Sequence, residues 1–173
     1  SRLPHVLRAD RNFSSFLFSS VVLSFGGMAT SFYTVYAIKS LNLTGEDLGF
    51  FTALSLASQT VAYLLWGYVG DKKGHKLVLE ASALSGIIGT LLAFYAKSVT
   101  QFYAVFLVTG VSTSASMVST MNIALEFSPP EERPTYVGLA NTIKAPFLGL
   151  SPIIGGILAD AFHYTLVFLL TSA

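Results

Sequence analysis

Lys144 is the residue of this 173-residue chain whose position most needs a chemical explanation. It lies in Tyr136-Val-Gly-Leu-Ala-Asn141-Thr-Ile-Lys144-Ala-Pro146, well inside an apolar segment long enough to cross a bilayer. An ammonium at that depth costs on the order of 2.5–3.5 kcal/mol on insertion scales, so it must face protein or water rather than lipid. The midplane also lies farther from the headgroups than a lysine stem easily reaches. Three uses fit such a group: binding an anionic part of a substrate, exchanging a proton with a carboxylate, or pairing with an acid from another part of a longer protein. Pro146, two residues on, has no N–H to donate, so the Thr142 carbonyl loses its usual helical partner and a local kink beside Lys144 is expected.

Other polar groups recur at matching depth. Ser20, Ser24, Gly27, Ser31 and Thr34 alternate steps of four and three, which places them on one helical face. Thr109, Thr113, Ser116 and Thr120 repeat the device, and a further segment offers Thr52, Ser55, Gln59 and Tyr63. Counted from the helix ends, Ser24, Gln59, Thr113 and Lys144 come close to mid-depth, with Asn141 and Tyr63 about a turn away. Two readings stand side by side: a shared midplane cavity built by four helices, or hydroxyl-mediated helix packing of the kind any multi-span protein uses.

Bond-making chemistry has little to work with. There is no cysteine, and His5, His75 and His163 fall on separate loops or the N-terminal prefix without a neighbouring set of metal-ligand spacing. No serine is placed beside a usable base, and no glycine-rich loop could cradle a phosphate. Catalysis is not expected, and neither is a bound metal or organic cofactor. A coupling proton or other ion is the small partner that remains.

The elements that must hold these side chains follow from hydropathy. Hydrophobic residues make up 53% of the chain and charged residues 11%, less than half the usual share of a soluble domain. The charges avoid two windows, 12–38 and 48–70. A crossing takes about 20 apolar residues. Spans are therefore expected at about 13–38, 48–70, 77–96, 102–125 and 135–160, with an incomplete sixth at 164–173, and the chain reads as one membrane bundle cut from a longer protein. A formal net charge of +1 leaves no basic patch for nucleic acid. With the N-terminus in the cytoplasm, the inner segments hold Arg2, Arg8, Arg11, Lys72, Lys73, Lys76 and Arg133, against Lys39 and Lys97 outside. That asymmetry predicts the orientation. Asn42-Leu-Thr44 matches a glycosylation sequon, with chance as the plainer reading. The third span carries few polar groups beyond its first turn, and its Ser85, Gly86 and Gly89 predict a packing surface.

The most specific local pattern is Gly67-Tyr-Val-Gly-Asp71-Lys-Lys-Gly74-His-Lys76. Asp71 falls at a helix C-terminus, where the macrodipole opposes an anion unless a cation answers it. Gly67 and Gly70 permit close approach of neighbouring backbones, and Gly74 permits a turn with positive φ. The pattern resembles the signature Gly-x-Leu-Ala-Asp-Arg-x-Gly-Arg-Lys of the major facilitator superfamily of secondary transporters. It keeps Gly67, Asp71, Gly74 and Lys76, and it departs at Val69, Gly70, Lys72 and His75. Ser128-Pro-Pro-Glu-Glu-Arg133 is similar to that family's Pro-Glu-Glu-Arg loop. Ser151-Pro-Ile-Ile-Gly155-Gly156 is similar to the Gly-Pro-x-x-Gly-Gly element of its drug and proton antiporters, although a kinked, closely packed helix explains it equally.

The resemblance implies an all-α membrane protein: a six-transmembrane-helix half bundle with a 3+3 inverted repeat, its last helix truncated. The absence of a cation from Val108-Thr-Gly-Val-Ser-Thr-Ser-Ala-Ser116 favours the C-terminal half. It further implies alternating access for a small-molecule substrate, driven by a proton or ion gradient, with efflux as one direction. Asp71 and its basic neighbours would then hold helix ends together. Glu80 and Glu126, with Lys72, Lys76 and Arg133, extend that group into a cytoplasmic latch, against the alternative of plain interfacial solvation. The expected partners are the lipid bilayer of the cell membrane and the missing second half or a second copy. A self-assembling half-size transporter or channel, and a fragment that folds without transporting, are the competing readings.

Overall fold

The computed structural model describes residues 11–41, 43–162, 168 and 171. Helix α1 (Arg11–Gly26) passes through a 3-10 turn (Gly27–Ala29) into α2 (Thr30–Ser40). Four long helices follow: α3 (Gly45–Lys73), α4 (His75–Tyr95), α5 (Val99–Glu126) and α6 (Arg133–Phe162), the last entered through a 3-10 turn (Pro130–Glu132). Among the described residues there is no strand. Five stretches are long and apolar enough to cross a membrane: Asn12–Ser40, Gly45–Lys73, His75–Tyr95, Val99–Glu126 and Pro130–Ala159. His163 and the stretch from Tyr164 to Val167 lie outside the described residues, as do His5 and Asn42.

Local chemistry sets the helix limits. Thr44 caps α3 by accepting from the Asp47 N–H, while the Asp47 carboxylate accepts from the Thr44 N–H at 2.9 Å, a reciprocal capping box. That gives Thr44 of the sequon a structural task. Ser98 caps α5 from Gln101. α3 ends at Gly74, whose φ of +89° favours glycine, and the chain reverses at once into α4.

α5 is the hub. One third of its most apolar window is buried, against 11% for α3. On one side Ser82 and Ser112 hydrogen-bond reciprocally to each other's carbonyls, and Gly86 and Gly89 bring α4 against Ser112 and Val108. Ser85 instead donates to its own helix at Ala81, so the packing edge of α4 runs through Ser82. On the other side Gly110 lies so near the Ser55 carbonyl that a Cβ would overlap it, and the Trp66 indole donates to the Val111 carbonyl at 3.1 Å. The first span pairs with α6: Ser151 donates to the Ser24 carbonyl at 3.0 Å, Phe25 meets Phe147 edge-on, and Gly155 packs on Met28 and Phe32. Tyr33 ties this pair to α4 through Thr90 at 2.8 Å.

Two apolar clusters close the bundle at opposite ends. Tyr33, Phe51, Phe102 and Phe168 belong to one, with Phe51 and Phe106 stacked at 4.6 Å. Phe13, Phe16, Ile123 and Tyr136 belong to the other. The outward surface is also apolar: Phe18, Leu64 and Tyr95 are 69% or more exposed. In water that exterior would demand a cover, whereas in hydrocarbon it is already solvated.

The first span is not the continuous helix expected over 13–38. Through Gly27–Ala29 each residue turns about 120° rather than 100°, which rotates the following face by roughly 60°. Ser20 and Ser24 are consequently buried while Ser31 is exposed, so the serine stripe divides between two environments.

Candidate functional site

A cavity of about 850 Å³ opens between α1, α3, α5 and α6. Its size falls in the range of small-molecule sites. Ser24 and Ser20 come from α1, Tyr63 from α3, Ser116, Thr120 and Asn122 from α5, and Asn141 and Lys144 from α6. Lys144 is the one charged side chain of the wall among the described residues. It is half-buried, and no carboxylate of the described residues lies within ion-pair distance of it.

Each helix reaches the cavity for a visible reason. α6 is held to α1 by the Ser151 and Ser24 contact and turned by the packing of Gly155, which leaves Asn141 and Lys144, three residues apart, facing the opening. α3 is drawn onto α5 at Gly110, and this brings Tyr63 over Met117: the phenol donates to the sulfur at 2.7 Å. The Gln59 amide points to the same sulfur from 3.9 Å. Ser24 spends its hydroxyl on the Ser20 carbonyl, and Asn122 spends its amide on Val118. α6 runs unbroken as helix through Pro146 and Pro152.

The six residues singled out from the sequence therefore part company. Lys144, Asn141, Ser24 and Tyr63 share the wall, while Gln59 stands behind Met117 and Thr113 is exposed outside the cavity. Met117, Met121 and Asn122 line the wall as well, beyond the residues that polarity and depth along the chain point to. The signal for the methionines was a four-residue spacing beside the Ser116 and Thr120 stripe. Their thioethers are polarizable and adaptable, a property suited to varied apolar surfaces.

At the end of the bundle carrying Lys72 and Arg133, the charges form pairs rather than one cluster. Asp71 is exposed, and its carboxylate lies 3.9 Å from His75 Nε2 rather than against Lys72, Lys73 or Lys76. Lys76 and Glu80, both exposed, stand 3.7 Å apart one helical turn from each other. Lys72 donates to the Tyr68 hydroxyl and lies over its ring. Glu126 lines a second cleft of about 710 Å³, between α1, α4 and α5, together with Lys76 and Glu80, and Arg133 is exposed. Gly67 has open space around it, so the close approach expected there is not made. It is made at Gly70, against the buried His75 ring rather than a backbone.

Ser151 and Gly155, four residues apart, both pack on the first span. The Ser151-Pro-Ile-Ile-Gly155-Gly156 element is thus a helix-packing edge. No group of three or more His, Cys, Asp or Glu among the described residues could hold a metal ion.

Residues 16–173 match the description of the Major Facilitator Superfamily. The chain belongs to that family. Its similarity extends to named members: it is 28% identical over 141 residues to the multidrug resistance protein MdtG of Serratia proteamaculans, covering 78% of this chain and 34% of that protein. It is 30% identical over 137 residues to MdtG of Proteus mirabilis, covering 78% and 33%. With the quinolone resistance protein NorA of Staphylococcus aureus it shares 27% over 137 residues, covering 79% and 35%. The chain thus spans about a third of the length of these relatives. A facilitator-family chain with five membrane-length helices is a multi-pass membrane protein of a transport family, and the residues that carried the resemblance, Gly67, Asp71, Gly74 and Lys76, stand at the α3–α4 junction.

Proposed function

We propose that this chain is one six-helix half of a secondary active transporter, in which the cavity beside Lys144 forms one wall of the substrate path. The observation that carries the reading is that wall: four separate spans of a facilitator-family chain converge on a single opening with polar groups and a lone ammonium. A second half, or a second copy, supplies the facing wall, and the two rock about it so that the opening meets each side of the membrane in turn.

Helix pairing supports a 3+3 internal repeat. Exchanging span one with four, two with five and three with six converts the pairing of one with five into that of four with two, and both pairings are present. It also converts three with four into six with one, which fits the rings of Tyr33 and Tyr36 packing on Phe168. Lys72, Lys73 and Lys76 at the α3–α4 junction and Arg133 at the α5–α6 junction support a cytoplasmic N-terminus in the cell membrane. At that end Gly67, Asp71, Lys72, Gly74, Lys76, Glu80, Glu126 and Arg133 act as the latch that the two halves make and break. The drug and quinolone resistance in the relatives' names supports outward transport of small organic compounds, coupled to the proton gradient.

Reconstitution tests this. Proteoliposomes carrying the full-length protein are loaded with unlabelled quinolone and assayed for counterflow of the labelled compound, then for net transport under an imposed pH gradient. Counterflow with accumulation that collapses on adding a protonophore is expected. Net transport that ignores the imposed pH gradient removes proton coupling, and the absence of transport for every organic solute tried overturns the transporter reading.

A further inference from the structure

The charge pattern of the cavity goes further than the reading above, on which it rests, and names a substrate class. Lys144 is the one charged residue of the wall among the described residues, and no acid of the described residues lies within 4.0 Å of its ammonium. The cleft at the end of the bundle makes a contrast. There Lys76 is answered by Glu80 at 3.7 Å and Glu126 lines the same walls, so no net positive field is left for a ligand. Lys144 keeps its field. It is half-buried, partly out of water and free to give three donors to a guest.

The surroundings of Lys144 divide by chemistry. Asn141, one turn away on α6, and Ser116 and Thr120 on α5 line the same cavity and offer neutral hydrogen bonds to a guest. Met117, Met121, Leu148 and the Tyr63 ring belong to the apolar part of the wall, with Leu23, Val118 and Val137. Met117 is held in place by Tyr63 and Gln59, so its sulfur is presented rather than buried. A charged pole beside a polarizable apolar bed selects a molecule with the same two parts.

We propose that the cavity takes amphiphilic organic anions: a carboxylate or comparable singly charged anion seated on Lys144, with an aromatic or alicyclic body against Met117, Met121 and Tyr63. Neutral compounds of the same shape use the apolar bed alone, and cations are disfavoured by the ammonium.

A matched series tests the proposal: 1-naphthaleneacetate, its neutral amide 1-naphthaleneacetamide, and the cation 2-(1-naphthyl)ethylammonium. Equilibrium binding of each labelled compound to the full-length protein in detergent at pH 7.5 is expected to rank anion over amide over cation. The anion should lead by roughly tenfold or more, the ratio expected of a hydrogen bond to a charged group. Lys144→Gln is expected to erase that preference, and Lys144→Arg to retain most of it. Equal binding of acid and amide, preference for the cation, no binding of any of the three, or a preference that survives Lys144→Gln would each overturn the proposal. Preference for the cation would mark Lys144 as already neutralised by an acid of the other half. Size-exclusion profiles matching wild type show that the variants are folded, and the wild-type ranking of acid against amide and cation decides the matter if the glutamine variant is not. Counterflow of the same three compounds separates this proposal from the transporter reading. Transport without charge preference overturns the substrate class alone, and charge-selective binding without transport overturns the transporter reading alone.

Discussion

Ser82 on α4 and Ser112 on α5 each donate a hydroxyl to the other's backbone carbonyl, at 3.0 and 2.9 Å. The exchange joins two helices that no water can lubricate, and it works only because Gly86, one turn on, lets the backbones close. Interhelical hydrogen bonds in membranes average about 0.6 kcal/mol. Ser82→Ala and Ser112→Ala are each expected to lower stability of the full-length protein by about that amount, read as the midpoint of unfolding in mixed micelles. Ser112→Leu should cost several times more, because the added side chain has to enter the space opposite Gly86. Alanine and leucine variants of equal stability would show that the two helices are not in contact here.

Gly110 and Gly67 are both mid-helix glycines with opposite surroundings. A Cβ on Gly110 overlaps the Ser55 carbonyl, whereas a Cβ on Gly67 meets nothing within 4 Å. Gly110→Ala is expected to destabilise by about 1–3 kcal/mol through forced separation of α3 and α5. Gly67→Ala should stabilise the helix by about 0.5–1 kcal/mol, the ordinary gain from replacing a helical glycine. Thermal unfolding of both variants in the same detergent checks the pair, and a reversed order of stabilities would refute the packing described.

Gly70 and His75 are two of the four departures from the family signature, and they touch. The His75 ring fills the space a Cβ on residue 70 would take, and its Nδ1 has no partner among the described residues. Gly70→Ala alone is expected to cost about 1–3 kcal/mol, while in a His75→Ala background the same change should cost almost nothing. The measurement is a double-mutant cycle on unfolding midpoints. An additive cycle would separate the two positions.

Met117 is clasped by Tyr63 and Gln59 at the cavity wall. Contacts of sulfur with aromatic rings contribute about 0.3–1.5 kcal/mol, so Met117→Ala is expected to weaken binding of 1-naphthaleneacetamide by about twofold to tenfold. Because the amide carries no charge, the loss reports on the apolar bed separately from Lys144. Unchanged affinity in equilibrium binding would place the aromatic body elsewhere.

Membrane residence was legible from the charge-free windows, and the family from Gly67, Asp71, Gly74 and Lys76, because both are properties of contiguous sequence. A hydropathy sum needs no neighbours, and a short signature at a helix junction keeps its spacing whatever surrounds it. The depth of Lys144 within its span was legible for the same reason: helical rise converts residue count directly into distance.

Which face meets which helix was decided in three dimensions. In a soluble protein one face of a helix is apolar and points inward, so periodicity names the contact surface. In lipid both the buried and the outward faces are apolar, and that signal is flat. Gly67 and Gly110 look alike along the chain, yet one is open and the other is a helix crossing. Thr113 and Ser116, three residues apart on the same stripe, fall outside and inside the cavity. The serine stripe of the first span lost its common face to three residues of 3-10 helix, whose tighter winding comes with packing on α6 and is not announced by Gly27-Met-Ala29. Sequence determined that this chain lives in a bilayer, which family it belongs to and how far along its span the Lys144 ammonium sits. Tertiary structure decided what stands beside that ammonium, because the contacts that turn α3, α5 and α6 toward one another join residues far apart in the chain.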